Sequence, residues 1–229
     1  MRNALVVLTL ALTGCGSHAG HEASQPLAHH TRDGRLSPLL SNLGSFKRTV
    51  STSNEQAQRY FDQGLTLVYA FNHDEARRLF LEAARNDAAL AMAHWGVALA
   101  VGPNINDEAK DAEREQQAFQ ASRKALALRN AASPAEQALI EAMTKRFPSG
   151  DGQDRPARMA AYAAAMEKVY DQFPADPDVA TLYAGAVMET MPWNYYMADG
   201  KPKPEMAKAI QALEQTIAAH PDHPGANHY

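Results

Sequence analysis

Large aromatic and small side chains recur at fixed intervals between residues 54 and 87, and this pattern constrains the fold of the chain most strongly. Its members are Tyr60, Gly64, Ala76, Phe80 and Ala83. Apolar residues at 57, 60, 61, 65, 68 and 69 follow the period of an α-helix. Small residues let helices approach closely, and aromatic rings fill the space that remains. The segment therefore predicts two packed helices, joined by a turn near residues 72–75.

The spacing resembles the tetratricopeptide repeat, a 34-residue pair of antiparallel helices. The period continues, because Ala91 lies 34 residues after Ala57 inside the next predicted helix. The resemblance implies an all-α fold of helical hairpins stacked into a right-handed superhelical solenoid, which usually holds another molecule in a groove. Four phrases resemble a group of longer bacterial tetratricopeptide repeat proteins: FNHDEARRLFLEAARND, AMAHWGVALAVGPNIN, MPWNYYMADGKPKP and HPDHPGANHY.

Breaker and capping residues divide the rest of the solenoid region into further helices. Gly102-Pro103 is a breaker pair, and Ser133-Pro134-Ala135-Glu136 is a capping box with proline at the first helical position. These signals predict helices at about 88–101, 107–129, 134–146, 155–173, 177–190 and 204–219. The last residues begin another repeat without a capping helix. We therefore expect residues 54–229 to be a solenoid that is truncated at its C-terminal end.

The N-terminal segment has the features of a lipoprotein signal. Arg2 gives a positive start, and the nine-residue apolar run from Ala4 to Leu12 is too short to span a bilayer but matches a secretory signal. The run ends in Leu12-Thr13-Gly14-Cys15, which resembles the lipobox of bacterial lipoproteins. That resemblance implies a signal peptide at residues 1–14 and acylation of Cys15, which anchors the protein to a membrane. A plain signal peptide with an unrelated cysteine is the alternative.

Residues 15–53 have no helical period and are rich in Gly, Ser, Pro and His, which predicts a flexible tether. The tether contains His18, His21, His29 and His30. Short His-rich tracts can bind metal, but polar filler is the simpler interpretation because nothing rigid fixes these side chains. Gly16, not Asp, follows the cysteine, which resembles lipoproteins sent to the outer membrane. We expect a lipid-anchored protein of the cell envelope, facing the periplasm from the outer membrane if the cell is Gram-negative.

Composition and missing motifs narrow the classes of function. The 229 residues carry a formal net charge of -4, so the chain has no basic footprint for nucleic acid. It contains one cysteine, which excludes an internal disulfide. The sequence has no GxSxG elbow, no GxxxxGK loop and no HExxH motif. These features predict a binding protein without enzymatic activity or cofactor.

Polar and aromatic residues gather at the predicted junctions between repeats. They are His94, Trp95, Asn104, Asn106, Trp193, Asn194, Tyr195, His223, Asn227 and His228. Repeat junctions recur on one surface, so Trp walls with Asn and His donors would suit a peptide or a small polar ligand. Structural explanations compete with this hypothesis. Trp95 and His94 suit core packing, and Asn104 and Asn106 suit free carbonyls at the Gly-Pro break.

Two functions follow from these features. The first is a membrane-anchored scaffold that binds a protein or peptide partner on its concave face at the cell envelope. The alternative is an envelope protein that binds a small ligand or a metal at the repeat junctions. His94, His223 and His228 are the candidate metal ligands, although no two of them have an i, i+4 spacing on one helix.

Overall fold

Helices form all of the regular structure in residues 31, 34–107 and 111–229, the part of the chain that the computed structural model describes. The elements are α1 (Glu55–Tyr69), α2 (His73–Asn86), α3 (Ala91–Val101), α4 (Ala112–Leu128), a 3-10 turn (Arg129–Ala131), α5 (Pro134–Arg146), α6 (Arg155–Gln172), α7 (Pro177–Met188), α8 (Pro204–Ala219) and α9 (Pro224–His228). The all-α prediction is confirmed. The helix predicted from about residue 107 begins later, because Asp111 is the residue that caps α4.

Local signals explain where the helices begin. The side chain of Asn54 accepts hydrogen bonds from the backbone N–H groups of Gln56 and Ala57. Ser133 and Glu136 form the predicted capping box, and Pro134 is the first residue of α5. Each cap satisfies backbone donors that a helix leaves unpaired at its first turn. The capping residues visible in the sequence therefore determine where these helices begin.

Consecutive helices pack against one another as pairs, which is consistent with a helical repeat fold. The pairs are α1/α2, α3/α4, α5/α6 and α7/α8. The ring of Phe80 on α2 lies between Gly64 and Gly96, where an added Cβ would sit 2.8 and 2.4 Å from ring carbons. The absent side chains at these glycines let α1, α2 and α3 pack around one aromatic ring. The residue pattern included Gly64 and Phe80, but it did not include Gly96.

The last helix returns to the first one. Helix α9 contacts both α1 and α7. The approach is close at Gly225, where a Cβ would lie 2.6 Å from Tyr69 and 2.8 Å from Thr181. Elements far apart in the sequence therefore share one core.

The segment before α1 packs along the helices between residues 34 and 53. Leu39, Leu40, Leu43 and Phe46 rest on the core, and Val50 is buried. The backbone N–H of Ser51 donates to Glu136 on α5 at 2.8 Å. This part of the predicted tether is ordered against the helices, because its apolar side chains gain by leaving water.

The predicted signal peptide, Cys15 and the four histidines of the tether lie outside the described residues. Within residues 31, 34–107 and 111–229, no helix combines the length and apolarity needed to cross a bilayer.

Candidate functional site

A small cavity, here called the inner cavity, lies where α1, α3, α5 and α7 meet. Its lining residues are Val68, Phe71, His73, Leu99, Pro103, Asn104, Ile105, Arg146, Gly185, Met188, Glu189 and Tyr229. Its interior of about 30 Å³ has room for one or two water molecules. Most of the wall is apolar, so the few polar groups decide what the cavity can bind.

Arg146 is the central polar group. Residues 139, 143 and 146 of α5 share one helix face, so Arg146 continues the buried stripe of Leu139 and Met143 into the core, where it is 1% exposed. Its guanidinium lies 5.1 Å from the Tyr162 ring centroid. It donates to the carbonyl of Pro103 and, at 2.7 Å, to Glu189 Oε1. The result is a buried ion pair held by aromatic packing.

Several polar atoms around this ion pair have no hydrogen-bond partner in the described structure. They are Arg146 Nε and Nη1, Glu189 Oε2, and both ring nitrogens of His73. Most buried polar groups in folded proteins are partnered, so such a concentration at one cavity indicates a polar site. The cavity therefore offers both donors and acceptors to an occupant.

The protonation states at this site follow from burial. Burial raises the pKa of Glu189, while the charges of Arg146 and Arg155 oppose that shift. Burial, assisted by the charges of Arg146 and Arg114, lowers the pKa of His73 to about 4. His73 is therefore a neutral imidazole at pH 7, with one ring nitrogen that donates and one that accepts.

The inner cavity continues into a wider groove, here called the outer cleft. Phe71, His73 and Asn104 line both spaces. The remaining walls of the cleft are Asn72, Asp74, Asn106, Asp107 and Arg114, and the space measures about 330 Å³. Arg114 forms an ion pair with Asp107, and Asn104 Oδ1 accepts a hydrogen bond from the Asn106 N–H at 2.9 Å. The outer cleft is polar and open to solvent.

The loop between α7 and α8 exposes large apolar side chains, and one of them contacts the segment that carries Asn104 and Asn106. Trp193, Tyr196 and Met197, here called the aromatic rim, are 72%, 56% and 43% exposed. The indole Nε1 of Trp193 donates to the carbonyl of Ile105 at 3.0 Å, and Ile105 lies between Asn104 and Asn106 of the cleft wall. Trp193 and Phe71 both adopt positive φ, at 59° and 56°, a conformation that costs non-glycine residues about 1–3 kcal/mol. The surrounding structure holds both aromatic residues in place.

The structure brings part of the predicted site together. Asn104 and Asn106 line the outer cleft, and Trp193 donates to the carbonyl of Ile105 between them. His228 packs against Phe71, which lines the cleft, and their ring centroids lie 4.8 Å apart. Asn194 is exposed in the rim loop, and Tyr195 is half-buried with an unpartnered hydroxyl.

Other predicted residues lie elsewhere. Trp95 is fully buried, and His94 is 8% exposed on α3, so both are core residues. His223 is the N-cap of α9 and Asn227 lies within this helix, where the Asn227 side chain donates to the carbonyls of Pro221 and His223 at 2.7 and 2.9 Å. The burial of Trp95 and His94 agrees with the packing explanation for these two residues.

The proposed metal ligands His94, His223 and His228 gain no support from the structure. In residues 31, 34–107 and 111–229, no three His, Cys, Asp or Glu side chains come together as a metal site. His223 is already engaged on both ring nitrogens, as described next.

A buried network centred on Asp178, here called the Asp178 network, joins distant elements. Asp178 accepts from Arg48 at 3.0 Å, from the Tyr69 hydroxyl at 2.6 Å and from His223 Nε2 at 3.2 Å. His223 Nδ1 accepts from the Ala226 N–H at 3.0 Å, so its proton resides on Nε2. Arg48 also contacts Asp176 through both terminal nitrogens, at 2.8 and 3.1 Å.

Charge complementarity stabilises this network. Burial by itself raises the pKa of Asp178, but the hydrogen bond from His223, the charge of Arg48 and the Tyr69 hydroxyl outweigh it, and the pKa lies below its usual value. Because the carboxylate is satisfied by protein donors, the network has a structural role. It ties the segment before α1 to α1, α7 and α9.

Sequence reasoning missed Arg146, Glu189 and His73. Arg146 could have been found from the sequence. It lies seven residues after Leu139, on the apolar face of α5, and a charged residue in a buried stripe is unusual. Glu189 directly follows the apolar run of α7, and His73 sits at a turn, where neither stands out.

No protein-family model, curated protein or solved structure matches the chain.

Proposed function

We propose that the protein is a binding scaffold, which holds an extended peptide segment of a partner protein in the outer cleft against the aromatic rim. One observation carries the proposal: the rim loop exposes Trp193, Tyr196 and Met197, and Trp193 is hydrogen-bonded to Ile105, which lies between two residues of the polar cleft. Clustered exposed apolar side chains mark interaction surfaces, and Trp and Tyr dominate binding energy at such surfaces. In residues 31, 34–107 and 111–229, the fourth large apolar side chain with comparable exposure, Ile217, lies on α8.

The cleft supplies what an extended peptide requires. The exposed side chain of Asn106 can hydrogen-bond peptide backbone groups. The Trp193 ring, which is held by its bond to Ile105, offers an apolar contact that loses little conformational entropy on binding. Packed helix pairs provide the fixed frame. We include in the proposal that these pairs are tetratricopeptide-like repeats of a solenoid, which the Gly64–Phe80–Gly96 packing supports.

Anchoring at the cell envelope is part of the same proposal. Its support is the lipobox-like sequence that ends at Cys15. A Cys15→Ser substitution should release the protein from the membrane fraction of cells, as followed by immunoblotting of fractionated extracts. If the variant still sediments with membranes, the lipid anchor at this residue is refuted.

The peptide-binding proposal is tested with defined ligands. Peptides selected from a displayed random library on the wild-type chain would be synthesised, and their Kd measured by fluorescence anisotropy. Trp193→Ala should weaken binding by about tenfold or more, because truncating an aromatic hot spot costs about 2 kcal/mol. Ile217→Ala, which removes an exposed apolar side chain away from the cleft, is the matched control and should bind as wild type.

Two results would contradict the proposal. One is a selection that yields no peptide binding to the wild-type chain. The other is equal affinity of the Trp193 and Ile217 variants for the selected peptides, which would place the binding surface outside the aromatic rim.

A second function, binding of a small polar ligand, is favoured by the unpartnered atoms around Arg146 and Glu189. These atoms belong to residues that line the inner cavity, which is distinct from the proposed peptide surface, and they could hydrogen-bond a small polar ligand there.

A further inference from the structure

We propose that the face of α1 and α2 beneath residues 36–43 is a binding site for an extended, leucine-containing segment of a partner protein. Residues 36–43, here called the strap, occupy this face themselves and would be displaced by the partner. The strap face consists of Tyr60 and Gln63 on α1 and of Glu75 and Glu82 on α2. It shares no residue with the outer cleft, so the inference does not depend on peptide binding there.

Helix side chains hold the strap mainly by its backbone. The Gln63 amide makes two bonds to one residue, since its Oε1 accepts from the Leu40 N–H at 2.9 Å and its Nε2 donates to the Leu40 carbonyl at 2.7 Å. Glu82 Oε1 accepts from the Leu36 N–H at 2.6 Å. Every extended segment offers such backbone groups, and main-chain hydrogen bonds supply affinity when proteins bind extended peptides. The strap face can therefore hold segments other than the strap.

Leucine side chains give the strap its apolar contacts. Leu39, Leu40 and Leu43 are half-buried and pack against the hydrophobic core. Because none of them is fully buried, each gains only part of the free energy that a core leucine contributes. A partner segment with leucines at matching positions would make the same contacts, and this defines the chemistry of the partner.

The part of the chain after the strap is held more firmly. Arg48 is 7% exposed and pairs with Asp176 and Asp178. Val50 is 4% exposed. Gly44 precedes this anchor with a φ of 73°, and no atom of the described residues lies within 4 Å of a Cβ placed there. Glycine changes conformation at low steric cost, so the strap can leave its face by rotation at Gly44 while Arg48 stays in place.

This attachment makes the strap an intramolecular competitor of any partner. A segment joined by a short flexible linker has an effective concentration in about the millimolar range at its own site. A separate peptide must overcome that competition. Weakening the strap should therefore raise the affinity of the chain for the peptide.

The test uses the purified full chain and a fluorescent peptide with the sequence of residues 34–45, followed by fluorescence anisotropy. A chain with Leu39→Ser, Leu40→Ser and Leu43→Ser, here called the strap variant, should bind this peptide at least about tenfold more tightly than the wild-type chain. A peptide methylated on the Leu40 nitrogen keeps every side chain but lacks the N–H that Gln63 accepts. It should bind the strap variant at least about tenfold more weakly than the unmodified peptide.

Matched substitutions localise the binding. In the strap variant, adding Gln63→Ala should weaken peptide binding by at least about tenfold. Gln117→Ala, which removes a hydrogen-bonded glutamine on α4, is the control and should leave the affinity unchanged. Trp193→Ala should also leave it unchanged, because Trp193 belongs to the aromatic rim.

Hydrogen exchange on the wild-type chain gives a readout that does not need the strap variant to fold. Saturating peptide should reduce the protection of the Leu36 and Leu40 amides, which bond the strap face. The Val50 amide, which donates to Gln58, should keep its protection. If the peptide binds and the Leu36 and Leu40 amides stay protected, the peptide occupies another surface and the proposal is wrong.

The proposal is also overturned if the peptide binds neither chain, if the methylated peptide binds equally well, or if the Gln63 and Gln117 variants behave alike. A wild-type dimer that dissociates on addition of the peptide, as measured by light scattering, would overturn it too. The strap of a second copy, and not a separate partner protein, would then occupy the face.

Discussion

Replacing Asp178 with alanine removes the acceptor at the centre of the Asp178 network and should destabilise the fold strongly. Asp178 is 4% exposed and accepts from Arg48, Tyr69 and His223. Leaving the two neutral donors unsatisfied costs about 1–3 kcal/mol each. Arg48 keeps its two bonds to Asp176 in this variant. Breaking the ion pair between Arg48 and Asp178 should therefore cost less than the ~3–5 kcal/mol of a buried pair that loses its only partner. We expect a total loss of about 4 kcal/mol.

The measurement is urea unfolding at pH 7, followed by circular dichroism and compared with two other variants. Asp178→Asn keeps the shape and one accepting oxygen, so it should lose about half as much as the alanine variant. Asp171→Ala breaks an exposed pair with Lys208, and it should change the free energy of unfolding by at most about 1 kcal/mol.

Native-state hydrogen exchange adds a local readout. Amides of α9 and of residues 45–50 should lose protection in Asp178→Ala more than those of α4 and α6, because the network fastens the former group. If Asp178→Ala and Asp171→Ala lose the same small amount of stability, the network does not hold these elements together and the reasoning is wrong.

Two further predictions concern His94 and Gly96. Burial and the charge of Lys124 lower the pKa of His94 from 6.5 to about 4, so the folded state binds fewer protons than the unfolded state between these pH values. The contribution of His94 should therefore lower the free energy of unfolding by about 2 kcal/mol as the pH drops from 7 to 4.5. In urea unfolding, the His94→Leu variant should lack this contribution and lose correspondingly less stability over the same pH range. Gly96→Ala places a Cβ 2.4 Å from the Phe80 ring and should cost about 2–3 kcal/mol, whereas adding Phe80→Leu should recover part of that loss if the clash is its cause.

The helices could be predicted because their causes are local. Periodic apolar residues, the Asn54 cap, the Ser133 capping box and the Gly102-Pro103 break act within one or two turns, so they are visible in the sequence. The close packing of Phe80 against Gly64 was implied by the same spacing, whereas its contact with Gly96 was not. The segment at 34–53 was harder, because its order comes from contacts with helices that follow it in the chain.

The candidate site was only partly predictable. Asn104, Asn106 and Trp193 stood out as polar or aromatic residues at breaks in the repeat. Both asparagines line the outer cleft, and Trp193 contacts Ile105 between them. Arg146 is the last residue of α5 and Glu189 follows the end of α7, 43 residues later, so their pairing depends on how α5 and α7 are placed. No local pattern encodes such a distance.

The sequence by itself determined that this chain forms α-helices, where most of them begin, and which small residues let them pack in pairs. The tertiary structure decided that α9 returns to α1, that Asp178 joins four separate segments, and that one cavity collects unpartnered donors and acceptors. The physical reason is the range of the forces involved. Helix capping and periodic burial act between near neighbours, whereas the energy of a buried charge depends on groups that only the complete fold brings within hydrogen-bond distance.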